Sequence, residues 1–213
     1  MEGLGTKKLH VVAKQGVFTM AFIRTPDADD AFLEENRLPA GHIPNFVRTF
    51  AARPAVFEAW KQLNGAIKAS MDLRRYELAT LAAATALKSS YCSLAHGQVL
   101  AEKFFTPEEV AALTTTPPTD PIDRAVMSFA RKVALSADQI TQTDVDALKA
   151  LGLSDEDVLD ISLAAAARCF FSKTLDATGT TPDPAYHDLL PPELVAALTV
   201  GRQIRPTPAC CGC

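Results

Sequence analysis

From Thr106 onward the chain repeatedly spells the start of a helix, and nowhere does it spell a strand with equal force. Thr106-Pro107-Glu108-Glu109 combines an N-cap hydroxyl, a proline at the first helical position and a capping-box glutamate. Asp120-Pro121 followed by Asp123 has the same logic, Ser154 with Asp157 makes a third start, and Asp183-Pro184 a fourth. Pro54 opens another helix, in which Val56, Trp60, Leu63 and Ile67 fall on one face. Only Val11 to Ile23 carries some β-branched and aromatic alternation, and it reads equally as an extended arm. The sequence therefore predicts an all-α fold.

Hydrophobic residues make up 48% and charged residues 22% of 213, a balance that builds a packed core and excludes a disordered chain. A net charge of −4 argues against a nucleic-acid partner, which would select a basic face. No segment has the apolar length of a membrane span. The first residues, MEGLGTKKLHVVAKQGVFTMAF, lack an apolar h-region, so no secretory signal is expected. Five cysteines, an odd number, do not suit a disulfide framework, and reduced thiols in a cytoplasmic setting are expected. Turn clusters at Thr114–Pro118 and Thr180–Pro184 punctuate the chain. The expected organisation is an N-terminal arm over 1–40, a helical domain over 41–200 and a Cys-rich tail over 201–213. A faint internal repeat pairs Leu81–Thr85 with Leu163–Ala167, which sets Cys92 opposite Thr174 and His96 opposite Thr178.

Chemistry concentrates between Glu77 and His96, in ELATLAAATALKSSYCSLAH. Lys88-Ser89-Ser90 interrupts an Ala-rich apolar helix, and either serine suits an N-cap. Cys92 then lies in a first helical turn, where the dipole and free N–H groups favour a thiolate. His96 follows at i+4, on the same helical face. A neutral imidazole would take the thiol proton, and a protonated one would stabilise the thiolate. Glu77 is a candidate to orient His96 or complete a proton relay, and Tyr91 places a hydroxyl next to the thiol. A simple antiparallel hairpin turning near Ser89 misaligns Glu77 and His96 by on the order of 10 Å, so a tilted crossing or a second subunit is needed. Packing alone remains the commonest role of a free cysteine.

The chain ends Cys210-Cys211-Gly212-Cys213. The Cys-x-x-Cys spacing of Cys210 and Cys213 suits a reversible disulfide, so these thiols are candidates to resolve an oxidised Cys92. The same three cysteines are candidates to hold a soft metal or trivalent arsenic. A frayed end with no role is the third reading. Cys169 is expected in the core, as are Trp60 and the Phe170-Phe171 pair. His10, His42 and His187 are expected in loops and turns.

Glu77, Cys92 and His96 together resemble the signature of the alkylhydroperoxidase D-like (AhpD-like) branch of the carboxymuconolactone decarboxylase superfamily, a glutamate followed by Cys-x-x-Cys-x-x-x-His. The Tyr91-Cys92 pairing, GHIPNF at Gly41–Phe46, Arg53-Pro54 with Trp60, and LDATG at Leu175–Gly179 resemble its peroxidase-related subgroup. The likeness runs from about Phe22 to Gly179. It implies an AhpD-like helical bundle that forms homo-oligomers. It also implies peroxide reduction by Cys92, with Glu77 and His96 relaying protons and an external thiol or redox protein as reductant. No cofactor is expected. One departure stands out: the family's first cysteine, which closes the redox disulfide, corresponds to Ser89. Soft-metal capture by the tail and a non-redox decarboxylase of the same fold are the alternatives.

Overall fold

The computed structural model describes residues 21–25, 31–38 and 41–205. Among them the order is α1 (Ala31–Glu35), α2 (Asn45–Phe50), α3 (Pro54–Ser70), α4 (Leu73–Ala86), α5 (Ser90–Lys103), α6 (Pro107–Ala112), α7 (Pro121–Ser136), a 3-10 turn (Ala137–Gln139), α8 (Gln142–Lys149), α9 (Asp155–Thr178), α10 (Tyr186–Leu189) and α11 (Pro192–Leu198). The all-α expectation holds, with no strand among the described residues. Most of the Val11–Ile23 stretch, and His10, lie outside them. α1 falls inside the stretch assigned to an N-terminal arm, and its Leu33 is fully buried.

α4 is the axis of the molecule. Every residue from Tyr76 to Ala84 is buried, because α5, α7 and α9 pack around it. Helices buried on all sides need small side chains for close approach, and Ala79, Ala82, Ala83 and Ala84 supply them. The helix starts at Thr106 and Ser154 form complete capping boxes, and the Asp120 carboxylate accepts from the N–H groups of Ile122 and Asp123. Salt bridges from Arg74 to Asp123 and from Arg75 to Asp157 tie the start of α4 to α7 and α9.

Two expectations fail. On α3 the buried face is Phe57, Trp60 and Ile67, while Val56 and Leu63 are exposed. Helical periodicity found a stripe, but the aromatic partners Phe50 and Phe171 decide which residues turn inward. Asp183 does not open a helix: α10 starts at Tyr186. Its buried carboxylate instead accepts from the Asn45 N–H at 2.9 Å and from the Tyr91 hydroxyl. The repeat is also limited, since α9 runs unbroken where α4 stops. Thr174 and Thr178 merely bond to backbone carbonyls of their own helix, with Thr178 also meeting the Thr180 hydroxyl.

Candidate active site

The break between α4 and α5 sets the position of Cys92. Lys88 adopts the left-handed conformation (φ 55°), and the Ser89 N–H reaches back to the Ala84 carbonyl at 2.9 Å. This closes α4 in the manner of a Schellman motif and lets α5 begin at once. Ser89 occupies the N-cap position, yet its hydroxyl makes no bond to the first N–H groups of α5. The Ser90 hydroxyl accepts from the Gly201 N–H at 2.8 Å instead. Cys92 thus lies in the first turn as expected, but neither serine hydroxyl caps it.

Glu77 and His96 meet within one chain. His96 Nδ1 stands 2.6 Å from Glu77 Oε2. The expected misalignment shrinks because α4 ends at Ala86, which moves the centre of the hairpin upstream of Ser89, and the glutamate's own length spans the remainder. Lys68, near the end of α3, reaches the other carboxylate oxygen at 3.1 Å. Burial pushes the Glu77 carboxyl up, but the hydrogen bonds and charges of His96 and Lys68 more than offset it, so Glu77 is held below its usual range as an anion. Burial, and then the charge of Arg168, pushes His96 down to about 4 against the pull of Glu77. His96 is therefore neutral at ordinary pH. An anionic acceptor at Nδ1 selects the Nδ1–H tautomer and leaves Nε2 as a free base.

Cys92, His96, Tyr91 and Arg168 line a cavity of about 380 Å³. Phe46, Phe57, Trp60, Phe171 and Tyr186 make its walls aromatic. Cys92 itself is only 2% exposed, so a reagent meets its sulfur through this cavity. Trp60 stacks on Phe171 at 4.9 Å, so these two are core, as expected, and cavity wall at once, whereas Phe170 is exposed against the expectation. Tyr91 directs its hydroxyl at Asp183, not at the thiol. Burial pushes the Tyr91 phenol well up, with the Asp183 charge adding to it, and burial likewise raises the Asp183 carboxyl.

Arg168 was missed from sequence. It is 5% exposed, with Nη1 3.7 Å from Cys92 Sγ and Nη2 3.5 Å from the Tyr76 hydroxyl. Its signal was present: it is the single charge in LAAAARCFF, Leu163 to Phe171. Lys68 and Asp183 were missed too, since nothing local marks a contact made across the fold. Cys169 is half-buried beside Ala134, and burial raises its thiol. His42 lies in the segment before α2 as expected, whereas the exposed His187 falls within α10, and both are away from the cavity lining. Cys210, Cys211 and Cys213 lie outside the described residues, and among those described no cluster suits a metal ion.

The helical bundle that brings this thiol, imidazole and buried carboxylate together has an AhpD-like fold, as its likeness to a solved structure shows. Residues 54–117, which contain Glu77, Cys92 and His96 but not Arg168, match the carboxymuconolactone decarboxylase family. The chain is similar to the alkylhydroperoxidase AhpD core of an uncharacterized peroxidase-related protein from Ralstonia eutropha JMP134, at 25% identity and TM-score 0.69, over 80% of this chain and 96% of that one. It shares its fold with an uncharacterized peroxidase-related protein from Silicibacter sp. TM1040, at 22% identity and TM-score 0.66, over 79% and 91% of the two chains. A debrominase solved with 2,3,4-tribromopyrrole has the same fold, at 20% identity and TM-score 0.61, over 77% and 89%. No curated protein matches the chain.

Proposed function

We propose that the protein is a thiol-dependent, peroxidase-like oxidoreductase acting on organic hydroperoxides. The observation that carries this reading is a cysteine lining an aromatic cavity beside a histidine kept neutral and oriented by a buried anion. The Cys92 sulfur attacks the distal oxygen of the hydroperoxide as His96 Nε2 takes the thiol proton. The S–O bond forms, the O–O bond breaks, and the proton passes to the leaving alkoxide. Sulfur is oxidised by two electrons to a sulfenic acid, and one alcohol is released. Glu77 fixes the histidine tautomer and stabilises the imidazolium formed in between.

A second thiol must then reduce the sulfenic acid with loss of water, and Ser89 cannot. Cys210, Cys211 and Cys213 are the proposed resolving thiols, with an external thiol or redox protein completing the cycle. Chain path supports the tail. Gly201 is bonded to Ser90, and Arg202 donates to the Asp176 carbonyl at 2.8 Å. The tail therefore departs from the end of α5 that holds Cys92, and the five residues from Arg205 to Cys210 can span up to about 17 Å.

Incubation with cumene hydroperoxide and dithiothreitol should consume thiol in the wild type and not in Cys92→Ser. Equal consumption by both ends the reading. A decarboxylase reading draws on the matched family and on the same Glu77–His96 pair, and there Cys92→Ser would keep full turnover of a lactone acid. Capture of trivalent arsenic by Cys210, Cys211 and Cys213 would disappear on removing the last four residues. A homo-oligomer is part of the proposal, supported by Leu159, Leu163 and Phe170, which leave an exposed apolar row on α9. No described helix is long and apolar enough to cross a membrane, and a cytoplasmic location rests on the odd cysteine count.

A further inference from the structure

Arg168 presents an electrostatic deficit. A guanidinium this buried is ordinarily matched by a carboxylate, because an unpaired charge in the interior is strongly disfavoured. Among the described residues no carboxylate forms a salt bridge with it. Glu77 is an anion of the same site, but its two oxygens are held by His96 and Lys68. The buried Arg168 Nε has no hydrogen-bond partner. The Trp60 and Phe171 rings, at 5.7 and 5.6 Å from the guanidinium carbon, give it cation–π support but no negative charge. The Tyr76 hydroxyl is a neutral acceptor, and its own proton goes to Asn64 Oδ1 at 2.7 Å. Among the described residues, the remaining hydrogen-bonding neighbour that can carry a negative charge is the Cys92 sulfur, at 3.7 Å.

We propose that Arg168 is the counter-ion of Cys92, a positioning residue that receives the sulfur's negative charge and aims the thiolate into the cavity. When the thiol proton leaves to the free nitrogen of His96, the charge left on sulfur sits against the guanidinium. Cys92 comes from α5 and Arg168 from the middle of α9, so the pair joins two helices that line the cavity. This explains why a charged residue stands in an otherwise apolar stretch of α9.

The inference concerns the state of the sulfur and not the reaction it performs, so it is tested without peroxide. The rate of Cys92 alkylation by iodoacetamide, a neutral reagent, is followed at neutral pH by mass spectrometry of the Cys92 peptide. Arg168→Gln should slow this rate by about tenfold or more, since the thiolate is the reacting form. Arg168→Lys, which keeps the charge, should recover most of it. Where Arg168→Gln is poorly folded, the comparison of Arg168→Lys with Arg168→Met decides, because a packing role favours methionine as much as lysine. Wild-type alkylation rates in Arg168→Gln, or equal rates in the lysine and methionine variants, overturn the proposal. A chain that alkylates rapidly through Arg168 yet ignores hydroperoxides refutes the peroxidase reading and leaves this one intact.

Discussion

Acidification from about pH 7 to about pH 4.5 should cost the native protein roughly 2 kcal/mol at His96 alone. The folded imidazole is pushed down to about 4, from an ordinary value of 6.5, mainly by burial and secondly by Arg168. A histidine whose folded pKa lies below its unfolded one binds fewer protons folded than unfolded across that window. Stability therefore rises with pH between those values and is lost as pH falls through them. At about 1.4 kcal/mol per pKa unit the whole separation amounts to about 3 kcal/mol, most of it already gone by about pH 4.5. Urea unfolding of the wild type and of His96→Gln, at both pH values, isolates this contribution. The variant lacks the titrating group, so its stability should fall by roughly 2 kcal/mol less than that of the wild type. Removing the imidazole also releases Glu77 from its hydrogen bond, which raises that carboxyl and makes the variant still less acid-sensitive. The sign of the difference is unchanged. Equal losses in the two proteins would refute the buried, neutral histidine and the proton relay built on it.

Tyr91→Phe should destabilise the fold by about 1–3 kcal/mol, because the buried Asp183 carboxylate loses a donor. Thiol consumption per folded molecule should stay at the wild-type level, and a loss beyond the unfolded fraction would return Tyr91 to the chemistry. Lys88→Gly should raise stability by about 1 kcal/mol in thermal unfolding, since glycine enters the left-handed region without penalty. Gly201→Ala should detach the segment after α11, because a Cβ there would fall 1.9 Å from the Lys88 carbonyl oxygen. Faster hydrogen exchange around residues 199–205 would register this, and if Cys210, Cys211 and Cys213 resolve Cys92, slower turnover with limiting external thiol should follow. Leu163→Glu should shift the protein to a smaller species in size-exclusion chromatography, as a charge on the apolar row of α9 opposes association.

The helical character of the fold was legible because its signals are local. A cap, a proline and a capping glutamate act within one turn, and three of the four starts so marked are helix starts in the structure. Asp183 carried the same local signal and failed, because its bonds to Asn45 and Tyr91 are made across more than ninety residues of chain. The Cys92–His96 pair was legible for the same reason as the caps, since i and i+4 share a helix face whatever the rest of the molecule does. The role of Ser90 was not, because its hydroxyl takes the donor that the fold brings to it, the Gly201 N–H.

What the sequence by itself determined is the placement of a thiol and an imidazole on one helical turn, preceded by a carboxylate on an apolar helix. These follow from backbone periodicity, which needs no partner. Tertiary structure alone decided that Glu77 meets His96, that Lys68 pairs with the Glu77 anion, and that Arg168 is left facing the sulfur of Cys92. Which charge pairs with which depends on how α5 and α9 close around α4 and how α3 lies against α9. That closure is set by the sum of many apolar contacts, a quantity that no single stretch of residues records.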